Sequence, residues 1–173
     1  ARINLRMNRA GPGSSDRASL LDQRDLMLEK LSGLTSIKAT LGADGTVAVS
    51  LGDPARSFVN GGTSSELKMA VAGDGTLTFD IDGQDMKPVS GSLGGANLAL
   101  TELATARGRL DTLAESFATT LNAAQANGVA LDGSPGQPLF SGTTAGTLKV
   151  VLQTGNGLAT APAGSPAGSR DPG

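Results

Sequence analysis

Asp22-Gln23-Arg24-Asp25 is a dense polar cluster, and its two acids lie three residues apart. On a helix that spacing puts Asp22 and Asp25 on adjacent turns, where a carboxylate pair could do general acid–base work. Such work also needs a pocket and a partner residue, and no partner is evident. Arg24 falls beside an apolar stripe containing Leu20, Leu21 and Leu28. Its planar fork suits a carboxylate on a neighbouring helix or protomer. Asp22, Arg24 and Asp25 are therefore read as helix-packing or subunit-interface residues.

Three other segments carry the spacing of chemistry. Ser65-Glu66-Leu67-Lys68 fits S-x-x-K, where a lysine activates a serine nucleophile, but no S-D-N or K-T-G completes the site. The segment alternates like a strand, which places Ser65 and Lys68 on opposite faces. Gly91-Ser92-Leu93-Gly94-Gly95 could cradle a phosphate on backbone N–H groups, yet it lacks the Lys-Ser/Thr of a P-loop. It reads as a flexible entry to a helix. Asp80, Asp82 and Asp85 around Gly83 suggest a calcium loop. A helix–loop–helix calcium site needs glycine sixth and glutamate twelfth, whereas here glycine comes fourth and no glutamate follows. A turn is expected there and at Asp132. No catalytic, cofactor-binding or metal residue is predicted.

Composition narrows the field. The 173 residues contain no Cys and no His, which removes disulfides, thiolate chemistry, the commonest metal ligand and the usual general base. Net charge is −2, so there is no electrostatic footprint for nucleic acid. No apolar run approaches the roughly 20 residues of a membrane helix. Aromatics are only 2%, so a core must be built from Leu, Val, Ile and Ala. The 25 glycines announce many turns.

The elements that must position these residues follow from periodicity. Ile3, Met7 and Ala10 look like the end of a helix broken by Gly11-Pro12-Gly13. Ser14, Ser15 or Asp16 caps a second helix, which Gly33 is expected to stop. Ile37, Ala39, Leu41 and Val47, Val49, Leu51 alternate about Ala43-Asp44-Gly45. Leu67, Met69, Val71 and Leu77, Phe79, Ile81 alternate about Gly73-Asp74-Gly75. These predict two hairpins in one small antiparallel sheet. Phe58-Val59 is a short apolar patch between them. The shared Asp-Gly-Thr is repeated turn chemistry rather than a duplicated binding site. Leu103, Leu110 and Phe117 recur every seven residues in a helix of roughly residues 96–127, which would span roughly 45–50 Å. They are read as helix-packing or subunit-interface positions. A short strand is expected at Leu148 to Leu152. Residues 154–173 are nearly all small or polar and are expected to be a flexible loop.

In order along the chain stand Leu21-Asp22-Gln23-Arg24-Asp25, Asp44-Gly45-Thr46-Val47 and Gly91-Ser92-Leu93-Gly94-Gly95. Leu121-Asn122-Ala123-Ala124-Gln125-Ala126-Asn127-Gly128 follows, then Leu131-Asp132-Gly133 and Leu139-Phe140. This succession resembles the flagellar hook-associated protein 1 family over roughly residues 1–150. The chain departs from it at Ala126, where the family often has Gln or His. It also lacks the family's terminal coiled-coil segments and is expected to be a central fragment.

The resemblance implies a non-enzymatic structural subunit of the bacterial flagellum, at the junction between hook and filament. It implies export through the flagellar type III apparatus and an extracellular location. The implied partners are neighbouring copies, hook protein and the second hook–filament junction protein. Neither cofactor, nucleic acid nor membrane is expected, and the fragment alone is expected to be monomeric. The fold expected is α+β: an elongated antiparallel helical rod with an inserted small antiparallel β domain. The parts are 1–33 (rod), 34–90 (β domain), 91–128 (long helix) and 129–173 (a further β/loop region). Another axial or surface protein, flagellin-like, is the first alternative. A hydrolase using Asp22, Asp25 or Ser65 is the second.

Overall fold

A short helix, α1 (Arg2–Met7), opens the chain and turns Asn4 and Met7 inward. The computed structural model describes residues 1–170. Ser14 caps the next helix, α2 (Ser15–Leu34): its hydroxyl accepts the Arg17 amide at 3.2 Å, satisfying one free N–H of the first turn. The helix does not stop at Gly33. It runs through Leu34 and ends where Thr35 becomes extended, with φ −154° and ψ 167°. Ile37 begins a strand two residues later, so the chain leaves α2 already extended and needs no left-handed glycine.

Seven strands follow, in two sheets rather than the one expected. The first has the order β1 (Ile37–Leu41), β2 (Val47–Leu51), β3 (Arg56–Asn60), β4 (Thr63–Ser64). The second has the order β5 (Leu67–Val71), β6 (Leu77–Ile81), β7 (Gln84–Met86). Both expected hairpins form in the register that alternation implies, Ile37 opposite Leu51 and Leu67 opposite Ile81. Their apolar faces meet in a core of Val47, Val49, Leu51, Phe79, Ile81 and Met86. Burial of each such side chain contributes roughly 1.5–3 kcal/mol. Phe58-Val59 belongs to β3, which pairs with β2 across a register shift at Val49/Ser50. That irregularity is why its residues show no clean alternation.

The long helix, α3 (Gly91–Ala126), begins at Gly91, so Gly91–Gly95 is its first turn and not a flexible entry. The glycines there serve close packing. Gly91 has φ +70°, and a Cβ would run into the backbone of Leu34 and Thr35. A Cβ on Gly94 would press on the carbonyl carbon of Val89 at 3.0 Å.

The chain divides into two compact units, residues 1–104 and the part from Thr105 onward, with α3 contributing to both. In the second unit β8 (Gly128–Val129) pairs with β11 (Ala161–Pro162), and β9 (Phe140–Ser141) pairs with β10 (Lys149–Val150). A 3-10 turn, Gly155–Gly157, lies between β10 and β11. The expectation of a flexible loop from residue 154 is therefore corrected as far as residue 170, and residues 171–173 lie outside the described residues. The path is held by main-chain bonds, among them Gln137 N–H to Gly157 O at 2.8 Å and Gly168 N–H to Leu131 O at 2.7 Å. Composition alone misled here, because this segment is held mainly through its backbone, with the small Ala161 as its buried apolar side chain.

Candidate functional site

Arg24 sits at the centre of the predicted polar cluster, with its side chain only 11% exposed. Its Nε donates to Asp25 Oδ1 at 2.8 Å, and its Nη1 donates to the Gly45 carbonyl at 2.9 Å. Arg17, two turns earlier on the same face, donates to the Asp44 carbonyl and to the Met7 carbonyl. Two arginines of α2 thus grip the turn of the first hairpin and lock α2 to the sheet. Asp25 is 63% exposed and orients Arg24 from the solvent side. Asp22 is exposed, and no side-chain bond ties it to Asp25. The two acids do not converge.

The two Asp-Gly-Thr turns and the Asp132-Gly133-Ser134 turn are three copies of one device. Asp44 Oδ1 accepts the Thr46 amide at 3.0 Å and its hydroxyl at 2.6 Å. Asp74 does the same with Thr76, and Asp132 with Ser134. Hydrogen bonds from Thr46, Thr76 and Ser134 hold the three carboxyls below the usual carboxylate range. Each carboxylate is spent on its own turn. The glycine that follows each aspartate has φ near +80°, which closes the loop (82°, 84° and 84°). Asp80 accepts the Gly83 amide at 3.0 Å in the same spirit. Among the described residues no three acidic side chains gather as a metal site.

Ser65 lies just before β5, its amide bonded to the Phe58 carbonyl at 2.9 Å. Lys68 is paired with Glu66 at 3.8 Å, both exposed. An open groove of about 810 Å³ runs between the second sheet and the start of α3. Phe79, Met86, Val89 and Leu98 floor it, and Asp74, Asp85 and Lys87 stand on its rim.

The long helix has two distinct faces. Asp111, Ala114, Ala118, Asn122 and Gln125 form the line turned toward the C-terminal segment. Ala114 and Ala118 are buried. Asp111 accepts the Ala145 amide at 2.8 Å and Gln125 accepts the Ala159 amide at 2.9 Å. Asn122 accepts the amides of Leu139 and Phe140 and donates to the Phe140 carbonyl at 2.8 Å. The predicted apolar line lies beside this one and stays largely in solvent: Leu103 is 53%, Leu110 56% and Phe117 48% exposed. Phe117 touches Phe140, ring centroids 5.1 Å apart. Leu113, 65% exposed, widens the stripe.

Sequence reasoning passed over Asn4, Arg17, Asn122 and Gln125. A signal existed for three of them: Asn4 lies on the inward face with Met7, and Asn122 and Gln125 continue the Ala114–Ala118 line.

With this geometry in hand, the comparison with known families is decisive. Residues 1–140 match the flagellar hook-associated protein FlgK helical domain. The chain belongs to the FlgK helical-domain family. The family resemblance read from Leu21–Asp25 and the motifs after it is thereby confirmed. Among solved structures the chain is similar to the flagellar hook junction protein FlgK from Burkholderia pseudomallei, at 31% identity and a TM-score of 0.62. That likeness covers 80% of this chain and 27% of the Burkholderia chain. The FlgK helical-domain match includes all three helices described above, the two sheets of β1–β7 and the Asn122–Phe140 contact. A search of curated proteins gives no match.

Proposed function

We propose that the chain is part of a non-enzymatic structural subunit of the bacterial flagellum, at the junction between hook and filament. The observation that carries the reading is the FlgK helical-domain match over residues 1–140. The chemistry is in keeping with it. Arg24, Asp44, Asp74, Asp132 and Asn122 are all engaged in holding turns and loops, which is what a building block requires.

Function then lies in surfaces. Leu103, Leu110, Leu113 and Phe117 offer an apolar stripe at heptad spacing, suited to a helix lying alongside. In this reading the helices belong to an elongated rod, with the β sheets as an inserted domain. The stripe packs against other helices of the full protein or against neighbouring copies. Hook protein and the second junction protein are the further partners. The subunit acts outside the cell after export through the flagellar type III apparatus. The isolated chain is a monomer, and a discrete oligomer in light scattering at micromolar concentration would contradict that.

The test is genetic. Deletion of the gene encoding this chain should leave hooks bare of filament under the electron microscope, and the intact gene should restore them. Normal filaments in the deletion strain would overturn the reading.

A further inference from the structure

The chain contains three Asn-Gly dipeptides, Asn60-Gly61, Asn127-Gly128 and Asn156-Gly157. In such a pair the glycine amide nitrogen attacks the asparagine Cγ, unhindered by a side chain. The new N–Cγ bond forms as the amide proton passes to solvent, and the Cγ–Nδ2 bond breaks to release ammonia. Water then opens the succinimide. Cleavage at Cγ–N yields aspartate, and cleavage at the main-chain carbonyl yields isoaspartate. No oxidant or cofactor is consumed.

The fold treats the three pairs differently. Gly128 is buried and its carbonyl accepts the Gly136 amide at 3.0 Å, while the Asn127 carbonyl accepts the Ala163 amide at 3.2 Å. Gly157 is buried at the end of the 3-10 turn, and its carbonyl is held by Gln137. In Asn60-Gly61 both residues are exposed. The pair opens the two-glycine turn between β3 and β4, Gly61 has φ +55°, and a Cβ placed there would meet nothing within 4 Å. What distinguishes this pair from the other two is exposure of both residues to solvent, although the Asn60 carbonyl accepts the Thr63 hydroxyl at 2.8 Å.

The Gly61 carbonyl also accepts Asn4 Nδ2 at 2.7 Å, one of the bonds that seat α1 on the first sheet. Isoaspartate at residue 60 adds a methylene to the main chain directly before that carbonyl and places a charge beside it. We infer that Asn60-Gly61 is a self-modifying site of this protein, where succinimide formation and conversion to isoaspartate loosen the hold of Asn4 on the sheet.

Trypsin separates the three pairs, because cleavage at Arg56, Lys68, Arg109, Lys149 and Arg170 places Asn60, Asn127 and Asn156 in three different peptides. The purified protein, aged at mildly alkaline pH and 37 °C, should convert Asn60 at least about tenfold faster than the other two, whose amides react only through local opening. In denaturant the three rates should converge. Asn60→Gln should abolish the reaction in its peptide. In the aged native protein, cleavage after the exposed Arg2, Arg6 and Arg9 should quicken in step with isoaspartate, read by isoaspartyl methyl transfer. Equal native rates at Asn127 or Asn156, or isoaspartate at residue 60 with unchanged cleavage of α1, would overturn the inference.

Discussion

Asn4 holds both backbone polar groups of Val47: its Nδ2 donates to the Val47 carbonyl at 2.8 Å and its Oδ1 accepts the Val47 amide at 3.0 Å. Asn4 is 1% exposed, so these bonds form away from water. With the further bond to Gly61, the side chain ties α1 to the start of β2 and to the β3–β4 turn. Asn4→Ala should lower unfolding free energy by about 2–3 kcal/mol, because buried backbone groups lose their partners. Asn4→Asp should be worse at neutral pH than at pH 5, since a carboxylate would face two carbonyls. Urea unfolding with an unchanged slope is the measurement.

Arg24 and Asp25 should not be equivalent, although they pair at 2.7 Å. Arg24→Ala removes a part-buried charged donor from the Gly45 carbonyl and should cost about 1.5–3 kcal/mol. Asp25→Ala removes only an exposed partner and should cost less than about 1 kcal/mol. Thermal or urea midpoints that ranked Asp25 above Arg24 would assign the joint to the ion pair and not to the turn.

The three turn aspartates make a prediction about acid. Their folded-state pKa values lie below the unfolded ones, with hydrogen bonds from Thr46, Thr76 and Ser134 as the leading cause. A depressed carboxylate contributes stability that is present above its unfolded pKa and is lost as pH falls through the folded one. Stability should therefore be level near neutrality and decline below the ordinary aspartate range. Replacing Asp44, Asp74 and Asp132 together by Asn should flatten that acid limb in unfolding measured against pH. An unchanged limb would place the acid sensitivity elsewhere.

The two faces of α3 should respond oppositely. Ala118 is 5% exposed, so Ala118→Leu overpacks the approach of the C-terminal segment and should cost about 1–3 kcal/mol. Leu110 is 56% exposed, and Leu110→Ser should change the isolated chain by no more than about 0.5 kcal/mol. In cells the ranking should invert for Leu103→Ser, Leu110→Ser and Phe117→Ser combined: a folded protein with bare hooks. Calorimetry and filament counts together decide it.

Much of the first unit was legible in the sequence because its signals are local. Alternation from Ile37 to Leu41 and from Val47 to Leu51, closed by Asp-Gly-Thr, specifies a hairpin and its register. The same holds for Leu67–Ile81. The division into two sheets was not legible, because it depends on β3 and β7, which are short or irregular. For α3 the period revealed the helix but not its inward face. Apolar residues normally turn inward, yet here the neighbour is a loop offering free amides. Acceptors with small residues between them, Asp111, Ala114, Ala118, Asn122 and Gln125, fit it better than leucine. At the candidate site, Arg24 was read as a packing residue whose fork suits a carboxylate on a neighbouring helix or protomer; the turn carbonyl 21 residues away that it holds is invisible to any local pattern.

The C-terminal segment is read by α3 through its main chain. Asp111, Asn122 and Gln125 recognise amides that every residue except proline possesses. Its exposed side chains are therefore nearly free to vary, whereas Phe140 against Phe117, the buried Ala130 and Ala161, and the close-packed Gly136, Gly142 and Gly157 are not. A stretch of glycine, alanine, serine and threonine can follow one defined path for the same reason that a peptide of any sequence can lie in a groove lined with acceptors. Substitutions at its exposed positions should be tolerated and single-residue insertions should not: at those positions the spacing of the held amides matters more than residue identity.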